Sequence, residues 1–433
     1  MSEKSIDSVH QEYLSAFRQV RMPGLEEFET DKLLFNQSYH ALTRKWKFLL
    51  GTVVAALFFD RETIRYDDRE AGLLLYSEVF NRKDHDTYWQ LLCDLFPDKN
   101  TMTIVNLSKS EMKRCLRLGQ IPGKLKRLAQ YNKRLKFVRS RLQRAFLSAQ
   151  LIWLYQFLKK IEKLQLHPKA AMCFCDADFH ETLLVQWLNH RGVATVTNQH
   201  GQPLLRDKNT DRLNQSQVLN FNSRYFLAKG SFTREQFRKA GVSDDRVIVV
   251  GDLKHEKPAV AIHEKKNRFC VFLDTPSYGF AEKTNAELLR FAEAVGGALH
   301  MDYYVKLHPS DDSGRYSGVS PDRFLDRNIS LSECFGMIDF GLFSASAIYI
   351  DMIAFGVKAY QYCGIPFPIT SSEDDRVASL EDFTEKHRRW EAKNDGEKRA
   401  YFAELYGRYY SDKNAADEIR MFVGHLLTDG GEQ

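Results

Sequence analysis

The chain has 433 residues, of which 43% are hydrophobic and 27% charged. This excludes a disordered, collagen-like or disulfide-stapled protein and leaves room for two or three globular domains. The net charge of +5 hides an asymmetry: residues 109–146 carry thirteen Lys and Arg against one acid, Glu111, so this segment is net +12 and the rest of the chain net −7.

The first residues, MSEKSIDSVHQEY, lack the apolar core of a signal peptide. Seven cysteines with no CxxC pair fit a reduced, cytoplasmic setting. The first hundred residues read as mainly helical, with a short strand at 102–105. The longest apolar run, residues 48–59, would span about 18 Å as a helix, too short for a hydrocarbon core of roughly 30 Å. It is expected to be a buried helix, and any membrane contact is expected to be peripheral. After Ile121-Pro122-Gly123, apolar residues recur at Leu125, Leu128, Tyr131, Leu135, Val138, Leu142 and Phe146, one stripe on a single basic amphipathic helix. Three uses fit such a helix: a solvated surface, docking on an anionic membrane, or nucleic-acid contact. The last is unlike the rest of the chain, which holds no recognisable nucleic-acid module.

From residue 170 the pattern changes to alternating strands and helices. Strands are expected at 171–175, 194–197, 224–227 and 247–250, with helices at 180–190 and 233–240 and a stop at Gly241. A polar stretch at 255–267 reads as a linker. A second set follows: strands at 269–273, 303–307, 336–340 and 358–362, with helices at 282–295 and 346–355, then C-terminal helices over 380–427. The expected fold is α/β, two Rossmann-like doubly wound domains with a helical N-terminal extension and C-terminal helices. The divisions are 1–165 (helical, with the basic helix), 166–262 (first Rossmann-like, acceptor), 263–370 (second Rossmann-like, nucleotide donor) and 371–433. Two such halves in tandem suggest a ligand cleft between them.

Ligands of such sheets bind beyond the carboxyl ends of the strands, so those loops hold the candidate residues. In the second half, KLHP places Lys306 and His308 at a strand end. Ser344-Ala345-Ser346-Ala347 opens a helix, where unpaired N–H groups favour a phosphate or are simply capped by a serine. Asp274-Thr275-Pro276-Ser277-Tyr278-Gly279 is a short polar loop suited to a diphosphate, with Thr275 and Ser277 as contacts; it is not a Walker loop. In the first half, Asp176, Asp178, His180 and Glu181 cluster after a buried strand. Asp176, Asp178 or His180 could deprotonate an acceptor hydroxyl. The DxD spacing also fits a metal, but it fits an acidic helix start equally well. Thr197-Asn198-Gln199-His200-Gly201 offers Gln199 and His200 at another strand end, with Gly201 permitting a tight turn or close ligand approach.

The order of QHG, SRYFLAKGSFTREQFRKAGVSDDRVIVVGD, KLHP and SLSECFGMIDFGLFSASAIYIDMIAFG resembles bacterial GT-B enzymes of surface and capsular polysaccharide synthesis, together with CDP-glycerol glycerophosphotransferase-like enzymes. UDP-N-acetylglucosamine 2-epimerases are similar more distantly. The resemblance covers roughly residues 170–362 and leaves the helical, basic first 165 residues unmatched. It implies a metal-independent glycosyltransferase, without a resident cofactor, that moves a sugar from a nucleotide-sugar donor to a glycan or lipid-linked acceptor; the basic helix adds the expectation of a peripheral place at the inner face of the membrane. It implies donor-phosphate contacts from His308, Ser344 and Ser346, with Lys306 nearby, and places His200 on the acceptor side; with Gln199, Gly201 and Asp176 read on the same side, the base for the acceptor hydroxyl is expected to be Asp178, His180 or His200. The alternatives it leaves are a CDP-polyol phosphotransferase, an epimerase acting on UDP-N-acetylglucosamine, and a non-catalytic scaffold.

Overall fold

The structure is a computed structural model that describes residues 6–67, 71–78, 83–108, 111–112, 116–203, 205, 215–254, 265–274, 281–308, 311–363, 370 and 372–429. In chain order, helices α1 (Ile6–Phe17), α2 (Thr30–Leu33), α3 (Phe35–Thr43) and α4 (Trp46–Phe58) lead to β1 (Glu62–Asp67), β2 (Leu73–Glu78), α5 (Lys83–Asp94) and β3 (Asn100–Asn106). Then come α6 (Ile121–Arg134), α7 (Arg141–Ile161), β4 (Ala170–Cys173), α8 (Phe179–Asn189), β5 (Ala194–Asn198), α9 (Ser216–Leu219), β6 (Tyr225–Ala228), α10 (Ser231–Lys239) and β7 (Val247–Val249). The second set is β8 (Arg268–Phe272), α11 (Ala281–Leu299), β9 (Asp302–Lys306), α12 (Leu331–Phe335), β10 (Phe340–Phe343), α13 (Ile348–Ala354), β11 (Lys358–Tyr362) and β12 (Arg376–Val377). Helices α14 (Leu380–Glu391), α15 (Asp395–Tyr409) and α16 (Ala415–Asp429) close the chain.

The strands form two sheets, ordered β1-β3-β2-β4-β5-β6-β7 and β12-β11-β10-β8-β9. All pairs are parallel except β1 with β3. Two compact units contain them: Met1–Lys229 with Thr233–Lys254 and Lys413–Gln433, and Gly230–Phe232 with His255–Asp412. Both units are Rossmann-like, and each is described by itself.

In the first unit the side chains alternate between two covered faces, as a parallel sheet wrapped by helices requires. Leu74, Tyr76, Ala171 and Cys173 point into a core built with Leu49, Tyr131, Phe146 and Leu183. Leu73, Leu75, Ala170 and Met172 point the other way, onto Leu92 of α5 and Ile419 and Val423 of α16. Residues 1–165, expected to be helical apart from a short strand at 102–105, supply three strands, of which β3 covers the expected one. The division at 165/166 crosses a continuous ladder, in which Leu73 pairs with Ala170 and Tyr76 with Cys173. The cause is local: β2 is buried on both faces, so LLLYSE shows no alternation and reads like a helix segment.

Two further expectations are corrected. The basic stripe is not one helix. It breaks between α6 and α7, where the Ser140 hydroxyl caps α7 by accepting from the Gln143 amide at 3.4 Å. Tyr131, Leu135, Val138 and Phe146 of that stripe are fully buried, so the spacing marks a core seam. The apolar run at 48–59 is a helix, α4, but it is buried on one face only. Leu49, Val53 and Ala56 pack inward while Trp46, Phe48, Leu50 and Val54 are exposed.

In the second unit Phe269 and Val271 of β8, with Leu273 just after it, pack under α11 and Phe383 of α14. On the opposite face Phe272 meets Phe335, and Phe343 stacks on Tyr349. The strand expected at 336–340 begins four residues later, in β10, because α12 and its turn take up the preceding residues. Gly341, expected in a loop, is a strand residue pressed against Met352 and Phe272, where a Cβ would not fit. β12, from the region expected to be purely helical, extends this sheet, whereas α16 belongs to the first unit.

Candidate functional site

The first five parallel strands of each sheet share one order. The chain places its second parallel strand on one side of the first and its third on the other, so β2/β4 and β8/β10 are the points where the winding reverses. Loops leaving the carboxyl ends of such strand pairs diverge and leave room for a ligand.

In the first unit this point is ringed by acids. The Glu181 carboxylate accepts from the Glu78 amide at 2.8 Å and the Cys175 amide at 2.7 Å, tying the ends of β2 and β4 together. Asp176 is buried, and its Oδ2 accepts from the Asn222 and Ser223 amides at 2.8 and 2.6 Å. The His180 ring is sealed between two glutamates, Nδ1 3.2 Å from Glu78 Oε2 and Nε2 3.6 Å from Glu62 Oε2. Lys160 donates to Glu62 Oε1 at 2.8 Å. Burial alone would raise both glutamates, but the His180 contact, with help from Lys160 and Asn106, holds each at about 2. Burial alone would depress His180, and the two glutamates raise it instead.

Asp178 differs from these neighbours. It stands at the N-cap position of α8, yet its carboxylate does not cap the helix. It is half-buried, and burial followed by the Glu78 charge pushes it up to about 7. Of the predicted acids it is therefore the one whose side chain is not spent on backbone amides.

At the end of β5, Gln199 is buried and works as a bracket. Its Oε1 accepts from the Lys229 amide and from Thr233 Oγ1, both at 2.9 Å. His200 Nε2 lies 3.0 Å from Gln217 Nε2, and its ring packs against Phe174 and His85 at centroid distances of 4.9 and 5.7 Å. Gly201 lies beside Gln217, where a Cβ would come within 3.3 Å of Nε2. Asn198 is buried, and neither atom of its amide has a partner among the described residues. Asp178 thus feels the Glu78 charge while His200 packs on Phe174, after the successive strands β4 and β5.

In the second unit the equivalent point is bridged by Asp274. Its carboxylate accepts from the Ser344 hydroxyl and, at 3.2 Å, from the Ala345 amide. Of the groups expected to hold a phosphate, Ser344 is thus already taken, with the Ala345 amide, by a carboxylate of the same chain. The bridge continues on both sides. Asn285 donates to the Asp274 carbonyl and to Tyr316 Oη at 3.1 and 3.0 Å, Tyr316 donates to Asp311 Oδ2 at 2.6 Å, and Gln361 donates to the Ser344 carbonyl at 2.7 Å. Ser346 and His308 are half-buried at the same edge. Lys306 turns elsewhere, to the carbonyls of Asp326 and Arg327 at 3.3 and 3.1 Å. Thr275 and Ser277 lie outside the described residues. Sequence reasoning did not single out Glu78, Asn198, Asn285, Tyr316 or Gln361; the one local signal was the charge that ends the LLLYSE run.

No family model matches the chain, and no curated protein matches it. Several solved structures are similar. A Staphylococcus aureus MnaA–UDP co-structure matches at 10% identity and a TM-score of 0.49, over 82% of this chain and 96% of that one. A UDP-GlcNAc 2-epimerase from Neisseria meningitidis bound to UDP-GlcNAc matches at 11% and 0.48, over 82% and 99%. The wall teichoic acid polymerase TagF matches at 12% and 0.41, over 93% and 94%. At these values the assignment of roles rests on the geometry of this chain alone.

Proposed function

We propose that the chain is a GT-B-type group-transfer enzyme that moves a sugar from a nucleotide-sugar donor to a hydroxyl of a glycan or lipid-linked acceptor. The observation that carries this reading is Asp178, a half-buried carboxylate at the winding reversal of the first sheet, pushed up to about 7. A base with that pKa is poised for proton transfer near neutral pH. In the proposed step the acceptor O–H gives its proton to Asp178, and its oxygen attacks the anomeric carbon. The bond from that carbon to the diphosphate oxygen breaks, and the nucleoside diphosphate leaves with the electron pair. The second unit binds the nucleotide, with Ser346 and His308 as phosphate contacts. His200 and Asn198, whose amide has no partner among the described residues, bind the acceptor.

The test is turnover of a donor panel with and without glycan acceptors. Acceptor-dependent release of nucleoside diphosphate, unchanged by EDTA, is the expected result. Asp178→Asn should lower kcat by about 10²–10⁴-fold, and the wild-type rate should rise with pH through about 7. Release of CMP from CDP-glycerol would replace sugar transfer with polyol-phosphate transfer. Conversion of UDP-N-acetylglucosamine without any acceptor would replace it with epimerisation. An Asp178→Asn enzyme of full activity would remove Asp178 from the chemistry.

A further inference from the structure

Nine large hydrophobic side chains are exposed among the described residues, and seven of them come from two touching segments of the first unit. Trp46, Phe48, Leu50 and Val54 lie on α4. Leu116, Leu118 and Leu125 lie on the stretch leading into α6. All seven are between 45% and 60% exposed. The segments are joined by a bridge between Phe59 and Leu116, by the Arg117 amide donating to the Phe58 carbonyl at 3.1 Å, and by Lys124 Nζ donating to the Phe59 carbonyl at 3.2 Å. The solvent face of α4 runs about three turns with a single charge, Lys47. An apolar face this continuous is unusual on a soluble surface and marks an interaction site.

The rim identifies the occupant. Arg44, Lys45 and Lys47 are exposed at the start of α4, and Arg117 and Lys126 are exposed beside the leucines. No acid occurs from residue 32 to residue 59, and the first one after α4, Asp60, is paired with Arg117 at 3.7 Å. A second copy of this chain, related by a two-fold axis, would set this basic rim against itself. An anionic bilayer complements it. Cations reach the headgroups while Trp46, Phe48, Leu50 and Val54 enter the acyl boundary, the arrangement of an interfacial helix.

We propose that α4 lies in the plane of an anionic membrane and inserts its exposed apolar face, with the basic residues at its start and along 117–126 binding the headgroups. This stands independently of the reaction. It also differs from docking by charge alone, because insertion adds an apolar term that salt does not screen.

The test uses the full chain and sedimented vesicles of phosphatidylcholine alone or mixed with phosphatidylglycerol. Binding to the mixed vesicles is expected, with a blue shift of tryptophan emission that Trp46→Phe removes. Phe48→Ser and Leu50→Ser should each lower the partition coefficient about tenfold, and Lys45→Glu with Lys47→Glu should abolish uptake. These side chains are exposed, so melting temperatures should stay within a degree or two of wild type, and part of the bound protein should stay on the vesicles at high salt. No binding to anionic vesicles, or binding untouched by Phe48→Ser and Leu50→Ser, would overturn the proposal. So would a concentration-dependent dimer that those substitutions dissolve while vesicles take up nothing.

Discussion

His180 shows how far a residue's role depends on partners that local sequence does not display. The pattern DADFHE places four ionisable groups at one strand end, but two of the groups that decide among them, Glu62 and Glu78, come from β1 and β2; the His180–Glu78 contact spans 102 residues of chain. Held between them, His180 is a buried clamp, and His180→Ala should cost about 3–5 kcal/mol, read from urea unfolding, because it strands two buried carboxylates. The pH dependence follows in sign. Glu62 and Glu78 titrate lower in the folded chain, so their contribution is present above the ordinary glutamate value and lost as pH falls from about 4.5 toward about 2. His180 titrates higher when folded, so its contribution is present below about 6.5 and lost as pH rises through its folded value. Asp178 acts in the opposite sense to the glutamates. Its raised value means that folding resists its ionisation, a penalty that grows from its unfolded value of 3.8 up to about 7. Asp178→Asn should therefore stabilise the chain at pH 8 by roughly 1–3 kcal/mol, allowing for its partial exposure, and change little at pH 3.5. Stability gained where turnover is lost is the expected signature of a functional carboxylate.

At the scale of elements, the sequence was most legible where buried strands alternate with helices. β11 falls at 358–362 as expected, and β4 to β9 lie within a residue or two of their expected places. It was least legible where tertiary contacts overrode the pattern. β2 hides its period because both faces are covered, and the α6–α7 break hides inside an unbroken apolar stripe because both helices feed the same core. Close approaches are a further contact that residue type alone does not reveal. Gly230 and Gly341 look alike in sequence. A Cβ on Gly230 would overlap the Arg408 carbonyl oxygen and the Tyr409 carbonyl carbon, which are backbone atoms of α15. A Cβ on Gly341 would overlap Met352 Sδ, the end of a flexible side chain, and crowd the Phe272 ring at 2.9 Å. Backbone cannot step aside as a thioether can. Gly230→Ala should thus destabilise the second unit by about 3 kcal/mol or more and Gly341→Ala by about 1–2 kcal/mol, an order that thermal melts of the two variants would check.

At the scale of the whole molecule, one topology is used twice and furnished differently. The reversal point of the first sheet carries a half-buried carboxylate with a raised pKa. That of the second carries Asp274, buried and engaged with Ser344 and Ala345. A phosphate entering the second site has two routes. It could displace Asp274 from Ser344, which would leave a buried carboxylate beside an anion. It could instead settle at Ser346 and His308, leaving the network from Asp311 through Tyr316, Asn285 and Asp274 to Gln361 intact. The second route avoids the like-charge cost. Nucleoside diphosphate should therefore raise the melting temperature of the chain, since a ligand at 100 times its Kd adds about 2.7 kcal/mol to the unit that binds it. Amide exchange should slow around 306–308 and 344–348 and stay unchanged around 175–178. Ser346→Ala should weaken that protection about tenfold in nucleotide affinity, whereas Ser344→Ala should lower stability without lowering affinity. Equal losses of affinity in both variants would mean that Asp274 gives way to the phosphate, and protection confined to 175–178 would place the nucleotide in the first unit instead.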